Sequence, residues 1–385
     1  MARTGPLAGF KIIEIAGLGP GPHAAMMLSD MGAEVVCVDR TASAGLGIEV
    51  DAKYDLIRRG RKSISVDLKK PEGRETLLRL IADADALIEG FRPGVMERLG
   101  LGPDICLQKN PRLVYGRMTG WGQDGPLAAR AGHDINYIAL TGVLHAIGPH
   151  NGRPVPPLNL VGDFGGAAYL AFGIVCGLLA AQRDGIGQVV DGAMIDAAAS
   201  LLAMVVGFSQ AGVWSDERGA NTFDGGAPFY RTYETADRKY VAIGAIEKKF
   251  YDPLLAQLGL YQDPDMHPHD DRSKWPIQEQ KIAAVIAERT RDEWCQILQE
   301  EDVCFAPVLS IAEAPEHPHI KARQTYAMVN GVNHPMPAPR FSRTGLQPPD
   351  EPCQPGQHSR AVLTDWSFSE KEIDCLIEIG AVVQS

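Results

Sequence analysis

Two short segments of this 385-residue chain carry side chains that could act as an acid and a base. His133 lies in segment 131–137, which reads AGHDINY, and Asp163 lies in segment 159–166, which reads NLVGDFGG. An imidazole and a carboxylate on opposite sides of one carbon could remove a proton from one face and return it to the other. The two segments therefore predict proton transfer that inverts a carbon centre, which is the chemistry of a racemase.

Each of these residues also has a structural interpretation. A single histidine most often makes one hydrogen bond in a core or at a helix end. Asp163 precedes a long apolar segment, so it could be the N-cap of a helix, and that position would lower its pKa and keep the carboxylate ionised. We expect the structural and chemical roles to coexist. The backbone N–H groups of Phe164 and Gly165 would then be available to a negative oxygen of a substrate.

The composition argues against several classes of protein. A formal net charge of −11 provides no basic field for nucleic acid or an anionic membrane surface. Seven scattered cysteines without a C-x-x-C pair are typical of reduced thiols, so we expect neither disulfides nor zinc. The pairs His267/His269 and His317/His319 have no third ligand at a recognisable spacing, and we predict no metal site.

The ends of the chain and one apolar segment bear on its location. The N-terminus has no apolar run after its one basic residue and the chain does not end in a peroxisomal signal, so we expect a cytoplasmic protein. Residues 164–182 are uncharged over 19 positions, which is long enough to span a membrane. They are rich in Gly and Ala and have no aromatic belt or basic flank, so a helix buried in a core or a dimer interface is favoured.

The elements that would position these residues follow an alternating pattern. Strand-like segments at 11–16, 34–39, 86–89 and 113–115 alternate with helical segments at 23–31 and 73–82. This order predicts an α/β fold with a large doubly wound, Rossmann-like parallel sheet, and ligands at the carboxyl ends of its strands.

A second pattern begins near residue 221. After a turn-rich segment at 221–228, a hairpin at 229–234 and 239–244 and helices near 250–259 and 276–300 predict a smaller α+β domain. We place the large domain at 1–215 and the small domain at 216–330. A proline-rich segment at 335–355 reads as an extended crossing, and a capping box at 369–372 begins a last helix that ends at Gly380.

The turn after the first strand, Gly17-Leu-Gly-Pro-Gly-Pro22, resembles a dinucleotide-binding turn, with Asp39 placed as a ribose-binding acid. Pro20 and Pro22 have no backbone N–H, so this loop offers few donors to a pyrophosphate. A tight strand-to-helix turn is the better interpretation.

Basic residues cluster near the predicted strand ends. Each could be an ordinary solvated charge, but as a group they could hold the phosphates of a nucleotide-like ligand. The group comprises Arg40, segment 58–62 (RRGRK), Lys69, Arg92 and Arg98. Glu247, between a predicted strand and a helix, would by itself be read as a surface or capping carboxylate.

These residues are also where the chain resembles a known family. It closely resembles the α-methylacyl-CoA racemases of the family III CoA-transferase superfamily over nearly its whole length. The matching segments are 17–26, 87–103, 117–122, 132–137, 156–166, 224–230 and 244–247. The sequence departs from the pattern at Lys248 and Lys249, where racemases usually have Pro-Gln, and at Arg238, where glycine is common.

The resemblance implies a site and an assembly. His133 and Asp163 would exchange the proton, with Glu247 beside His133, from the same chain or the partner subunit. The substrate would be a 2-methylacyl-CoA, with no cofactor besides the CoA it carries and no metal. The fold would be an interlocked homodimer in which residues 331–385 return to the large domain. The implied CoA contacts are Arg40, Val66, Asp67, Leu68, Lys69, Gly90, Phe91, Arg92, Arg98, Gly132, Asp134, Ile135, Asn136 and Tyr137.

Other functions stay open at this point. In a family III CoA-transferase, Asp163 would be the nucleophile and would form covalent anhydride and thioester intermediates. That role leaves His133 and Glu247 unexplained. A non-enzymatic CoA-binding protein, or a nicotinamide oxidoreductase, would require all three residues to be structural.

Overall fold

The structure, a computed structural model, describes residues 4–42, 45 and 47–385. Its strands are β1 (Lys11–Ile15), β2 (Glu34–Asp39), β3 (Lys62–Val66), β4 (Ala86–Glu89), β5 (Val114–Thr119), β6 (Gln188–Ala193), β7 (Tyr230–Glu234), β8 (Tyr240–Gly244), β9 (Phe305–Pro307), β10 (Tyr326–Val329), β11 (Val332–Pro335) and β12 (Val382–Val383). Its helices are α1 (Pro20–Asp30), α2 (Pro71–Ala82), α3 (Val95–Arg98), α4 (Pro103–Lys109), α5 (Asp134–Leu140), α6 (Val143–Ala146), α7 (Gly165–Asp184), α8 (Met194–Leu201), α9 (Ala203–Gln210), α10 (Lys248–Gln257), α11 (Trp275–Ile286), α12 (Arg291–Leu298), α13 (Pro318–Ala322), α14 (Ser359–Asp365) and α15 (Glu370–Glu378).

The main sheet has seven strands in the order β12-β3-β2-β1-β4-β5-β6. All neighbouring pairs are parallel except β12 with β3. The order 3-2-1-4-5-6 is that of a doubly wound sheet, with the reversal of strand order between β1 and β4. The predicted α/β fold class is therefore confirmed, and the crevice between the ends of β1 and β4 is the expected ligand position.

Helices cover both faces of this sheet, because its central strands are buried on both sides. On one face Leu77 and Leu80 of α2 pack with Val362 of α14. On the other, Leu28 of α1 packs with Leu170 of α7. Each such side chain contributes roughly 1.5–3 kcal/mol by leaving water.

Helix α7 contains the long uncharged segment. Its buried residues, including Leu170 and Ile174, face the sheet, and a Cβ on Gly177 would lie 2.6 Å from Val114 of β5. Residues Leu160–Asp184 are apolar enough to cross a membrane by length and composition, with a mean hydropathy of 1.9. The predicted helix buried in the core is confirmed by its packing, and the small residues are what allow the close approach to the strands.

Three strands of the sheet were not predicted. β3 reads KSISV after a basic run, β6 lies on the edge with half of its residues exposed, and β12 has only two residues. None of the three has the long apolar run of a buried strand. The predicted strands near 11–16, 34–39, 86–89 and 113–115 correspond to β1, β2, β4 and β5, with ends shifted by up to four residues.

The described chain forms two compact units. The first comprises 1–141, 158–201 and 319–385, and the second comprises 142–157 and 202–318. These borders differ from those drawn at 215/216 and 330/331, since segments 142–157 and 202–215 belong to the second unit. The folding-domain boundaries that we placed at 215/216 and 330/331 from the sequence stay a prediction.

The second unit has its own core. β7, β8 and β9 form an antiparallel sheet on which Tyr251, Leu254 and Trp294 pack. The predicted hairpin is present, with Arg238 at a φ of 60° in its turn. The predicted helix at 276–300 is two helices, because a capping box of Thr290 and Glu293 starts α12.

Candidate active site

A cavity of about 420 Å³ lies in the first unit at the carboxyl ends of β1 and β4. Its wall consists of the turn after β1 (17–22), the turn after β4 (90–93), residues 118–121 at the end of β5, and residues 128–133. His133, Tyr137 and Asp163 complete it. The structure therefore brings the two predicted acid/base residues to one cavity at the reversal point of the sheet.

The imidazole of His133 is positioned by the start of α5, where His133 is the N-cap residue. Its backbone N–H donates to Oδ1 of Asn136 at 3.0 Å, and its carbonyl accepts from the Asn136 N–H at 2.8 Å. The side chain is exposed in the isolated chain. The backbone of His133 is thus fixed while the imidazole faces the cavity.

Asp163 is not the N-cap that the sequence predicted. It lies in a π-helical turn, Leu160–Phe164, and α7 begins after it with Phe164 as the N-cap. The Phe164 N–H donates to the Asn159 carbonyl at 3.2 Å, and the Gly165 N–H donates to the carbonyls of Gly162 and Leu160. These two N–H groups therefore already donate hydrogen bonds within the turn. The expectation that Phe164 and Gly165 donate to a substrate oxyanion is wrong.

The electrostatic surroundings of Asp163 are the reverse of those of a helix cap. Burial raises the pKa of this carboxyl group, and the neighbouring charge of Asp134 raises it further. A hydrogen bond from Nδ2 of Asn159, at 3.1 Å from Oδ2, and the proximity of His133 oppose the rise. The expected lowered pKa is wrong because the first-turn N–H groups of α7 do not reach the carboxylate. An aspartic acid with a raised pKa is better suited to donate a proton.

The glycine-rich turn after β1 forms the wall next to Asp163. Gly19 has a φ of 67°, and a Cβ there would lie 3.5 Å from Oδ2 of Asp163. Pro20 starts α1, where a missing N–H costs nothing. The turn is the predicted tight strand-to-helix connection, and glycine keeps the approach to the carboxylate open.

Tyr137 closes the cavity from α5. Its ring meets Trp121 edge to face with centroids 4.7 Å apart. A Cβ on Gly120 would lie 2.0 Å from this ring, and one on Gly132 would lie 2.7 Å from it. Glycine at both positions is what lets the loops after β5 and before α5 contact the phenol ring.

The predicted CoA residues follow the carboxyl edge of the sheet. Gly90, Phe91 and Arg92 at the end of β4 line the cavity with Gly132 and Tyr137. Arg40, at the end of β2, lies over the Phe91 ring at 5.7 Å. Residues 66–69 end β3, with Val66 buried and Lys69 exposed, and Arg98 is exposed on α3. Ile135 and Asn136 are exposed on α5, outside the cavity wall.

Asp134 differs from the other predicted CoA contacts. Its side chain is buried, and Oδ1 accepts from the N–H groups of Gly162 and Asp163 at 2.7 and 2.9 Å. The carboxylate is therefore engaged with the turn that carries Asp163.

Sequence reasoning missed an ionic network under the turn after β4. Glu89, 1% exposed, accepts from the Phe91 N–H at 2.7 Å and from Nε of Arg117 at 2.9 Å. The same guanidinium donates to Glu97 on α3 at 2.7 Å. Charged residues at the ends of buried strands β4 and β5 were the signal that could have indicated it.

Glu247 lies in the second unit as the N-cap residue of α10, and its carbonyl accepts from the N–H groups of Phe250 and Tyr251. Its side chain is exposed. Its predicted role beside His133 stays a prediction.

Comparison with known proteins gives a consistent result. Residues 7–359 match CoA-transferase family III. The chain is 43% identical to the mouse alpha-methylacyl-CoA racemase over 95% of both chains, and 43% identical to the human alpha-methylacyl-CoA racemase over 98% of this chain and 99% of that one. Among solved structures, a CAIB/BAIF family protein from Brucella suis superimposes with a TM-score of 0.79 at 27% identity, over 95% of this chain and all of that one. The matched range includes both units and every residue that lines the cavity, and the chain belongs to CoA-transferase family III.

Proposed function

We propose that this protein is an enzyme that interconverts (2R)- and (2S)-2-methylacyl-CoA thioesters. The observation that carries the proposal is that His133 and Asp163 line one cavity and that the pKa of Asp163 is raised by burial. The relatives named racemases, at 43% identity over nearly the full length, support the same activity.

The proton transfer uses only these two side chains. The neutral imidazole of His133 takes the α-proton of one epimer, which leaves an enolate. The protonated carboxyl group of Asp163 then delivers its proton to the opposite face, giving the other epimer with His133 protonated and Asp163 ionised. The reverse reaction starts from that second form of the enzyme. No electrons are gained or lost, so the proposed reaction includes no redox cofactor.

The enolate oxygen needs hydrogen-bond donors. Within the described chain, the N–H groups of Asp134 and Ile135 at the start of α5 have no acceptor. The Asp134 N–H directly follows His133, which lines the cavity, and we assign this N–H to the enolate in place of Phe164 and Gly165.

The CoA part supplies binding energy away from the reacting carbon. Arg40, Lys69, Arg92 and Arg98 lie along the carboxyl edge formed by β2, β3 and β4 and the following α3, where they can meet phosphates. CoA bound in this way would orient the thioester between His133 and Asp163.

We also infer an interlocked homodimer, from the resemblance to the family, and propose a cytoplasmic location. The outer face of α7 supports the inferred homodimer, because the apolar side chains of Phe172 and Leu179 are 69% and 62% exposed and would be covered by a partner subunit. Glu247 would complete the site beside His133, from the same chain or from the partner subunit.

The main competing activity is CoA transfer, in which the ionised carboxylate of Asp163 attacks the thioester carbonyl. A raised pKa disfavours the ionised form that this attack requires. The test is to incubate a pure epimer with the protein in deuterated water, with and without an added free carboxylic acid. Epimerisation with one deuterium at the α-carbon supports the racemase. Transfer of CoA to the added acid without α-exchange would show a transferase.

A further inference from the structure

We infer that Asp134 is a positioning residue for the proton transfer: its carboxylate joins the turn that carries Asp163 to the helix that carries His133. This inference rests on the proposed function. Asp134 directly follows His133 in sequence, and its Oδ1 accepts from the N–H groups of Gly162 and Asp163. One side chain therefore sets the backbone position of both proton-transfer residues.

The surroundings of Asp134 leave space for its carboxylate. Asp134 is 6% exposed, and a Cβ on Gly162 would lie 2.5 Å from its Oδ1, so only glycine leaves room for the carboxylate. Hydrogen bonds to a charged group are shorter and stronger than neutral ones. The two N–H groups it binds belong to consecutive residues, which fixes the direction of the turn as well as its distance from α5.

The second oxygen of Asp134 adds a charge effect. Oδ2 is buried and has no hydrogen-bond partner within the described residues. A negative charge in a low-dielectric site acts on its neighbours more strongly than in water. Burial is the largest cause of the raised pKa of Asp163 and of Tyr137, and the charge of Asp134 raises both further. The same carboxylate thus holds Asp163 in place and helps to keep a proton on it.

Several titratable groups share these surroundings. The π-helical turn packs against α1, α5, α7 and α8. The titratable side chains at or near the adjoining ends of these elements include His23 on α1, His133, Asp134 and Tyr137 at or on α5, Tyr169 on α7, and Asp196 on α8. Of these, His133 and Asp134 act on the carboxyl group of Asp163, in opposite directions.

Asp134→Asn separates charge from geometry. The amide oxygen can still accept from both N–H groups, but the negative charge is lost. Because the charge of Asp134 raises the pKa of Asp163, its loss should move the pH profile of kcat/KM to lower pH. Because both epimers use the same total protonation state, the shift should be equal in the two directions.

Gly162→Ala provides the complementary change. It keeps the negative charge on Asp134 but pushes the carboxylate away from the N–H groups of the turn, so kcat should fall at least tenfold. This variant also keeps the inference testable if Asp134→Asn fails to fold.

The matched control is Asp85→Asn. Asp85 also accepts a backbone N–H, from Lys11 at 2.8 Å, but at the opposite end of the sheet. Asp85→Asn should leave both kcat and the pH profile of kcat/KM as in the wild type. An Asp134→Asn enzyme with a wild-type pH profile of kcat/KM, or a Gly162→Ala enzyme with wild-type kcat, would overturn the inference. If wild type itself neither epimerises nor exchanges the α-proton, the proposed function fails instead.

Discussion

Replacing Arg117 by methionine removes the centre of the Glu89–Arg117–Glu97 network and keeps an unbranched side chain close in length to the aliphatic part of arginine. Arg117 is 7% exposed and Glu89 is 1% exposed. Removing one partner of a buried ion pair costs about 3–5 kcal/mol because the other charge stays buried without compensation. At about 2–4 °C per kcal/mol for a unit of this size, the melting temperature should fall by about 6–20 °C at pH 8.

The loss depends on pH in a defined direction. Burial raises the pKa of Glu89, and Arg117 opposes that rise. Without Arg117 the folded-state pKa rises further above the unfolded value, so the folded protein binds a proton that the unfolded chain has released. Stability then falls as pH rises, and Arg117→Met should be less destabilising near pH 5.5 than at pH 8.

Thermal unfolding followed by circular dichroism at both pH values tests this reasoning. The KM for acyl-CoA should also rise, since Glu89 holds the Phe91 N–H in the turn predicted to contact CoA. Arg183→Met, in a fully exposed pair with Asp184, is the control and should change neither quantity. An unchanged melting temperature for Arg117→Met at pH 8, or a larger loss at pH 5.5, would refute the account.

Three further predictions concern the site and its support. Asn159→Ala removes the hydrogen bond that lowers the pKa of Asp163, so the limbs of the kcat/KM profile should move to higher pH; limbs at or below the wild-type pH would contradict this. Tyr115→Phe deletes a buried hydroxyl that donates to the Leu101 carbonyl at 2.9 Å, and chemical denaturation should show a loss of about 1 kcal/mol with activity retained. Arg92→Met should raise the KM for acyl-CoA about tenfold, consistent with about 1.5–3 kcal/mol for a charged hydrogen bond, and leave kcat near wild type; an unchanged KM would remove this residue from the CoA site.

The sheet could be predicted largely because buried parallel strands carry continuous apolar runs. β1, β2, β4 and the start of β5 carry short apolar segments, and the turns that follow β1 and β4 line the cavity. β3 and β6 could not be found in this way, since β3 alternates polar and apolar residues and β6 is an exposed edge. The capping box at Ser369 was a reliable signal of a helix start because the two side chains that define the motif lie three residues apart.

The site was predictable in its residue types but not in its local geometry. His133 and Asp163 do meet in one cavity, yet the π-helical turn changes the surroundings of Asp163. A regular helix start would have lowered its pKa, whereas the extra residue in the turn consumes the nearby N–H groups. Asn159, four residues before Asp163, was the available signal, because this spacing brings two side chains together on a helical turn.

The role of Asp134 could not be read from sequence. Its carboxylate acts on residues 162 and 163, far along the chain, through contacts that only the packing of α5 against the π-helical turn creates. The sequence alone does not show whether a carboxylate is buried or exposed.

The central claim is that two side chains exchange a proton with opposite faces of one carbon. The direct test supplies each pure epimer separately to His133→Ala and to Asp163→Ala in deuterated water, and measures α-deuterium in the recovered thioester. The account predicts that wild type exchanges and inverts both epimers, and that each variant exchanges only one epimer, a different one for each variant. Exchange of the same epimer by both variants, or undiminished inversion by either, would contradict it.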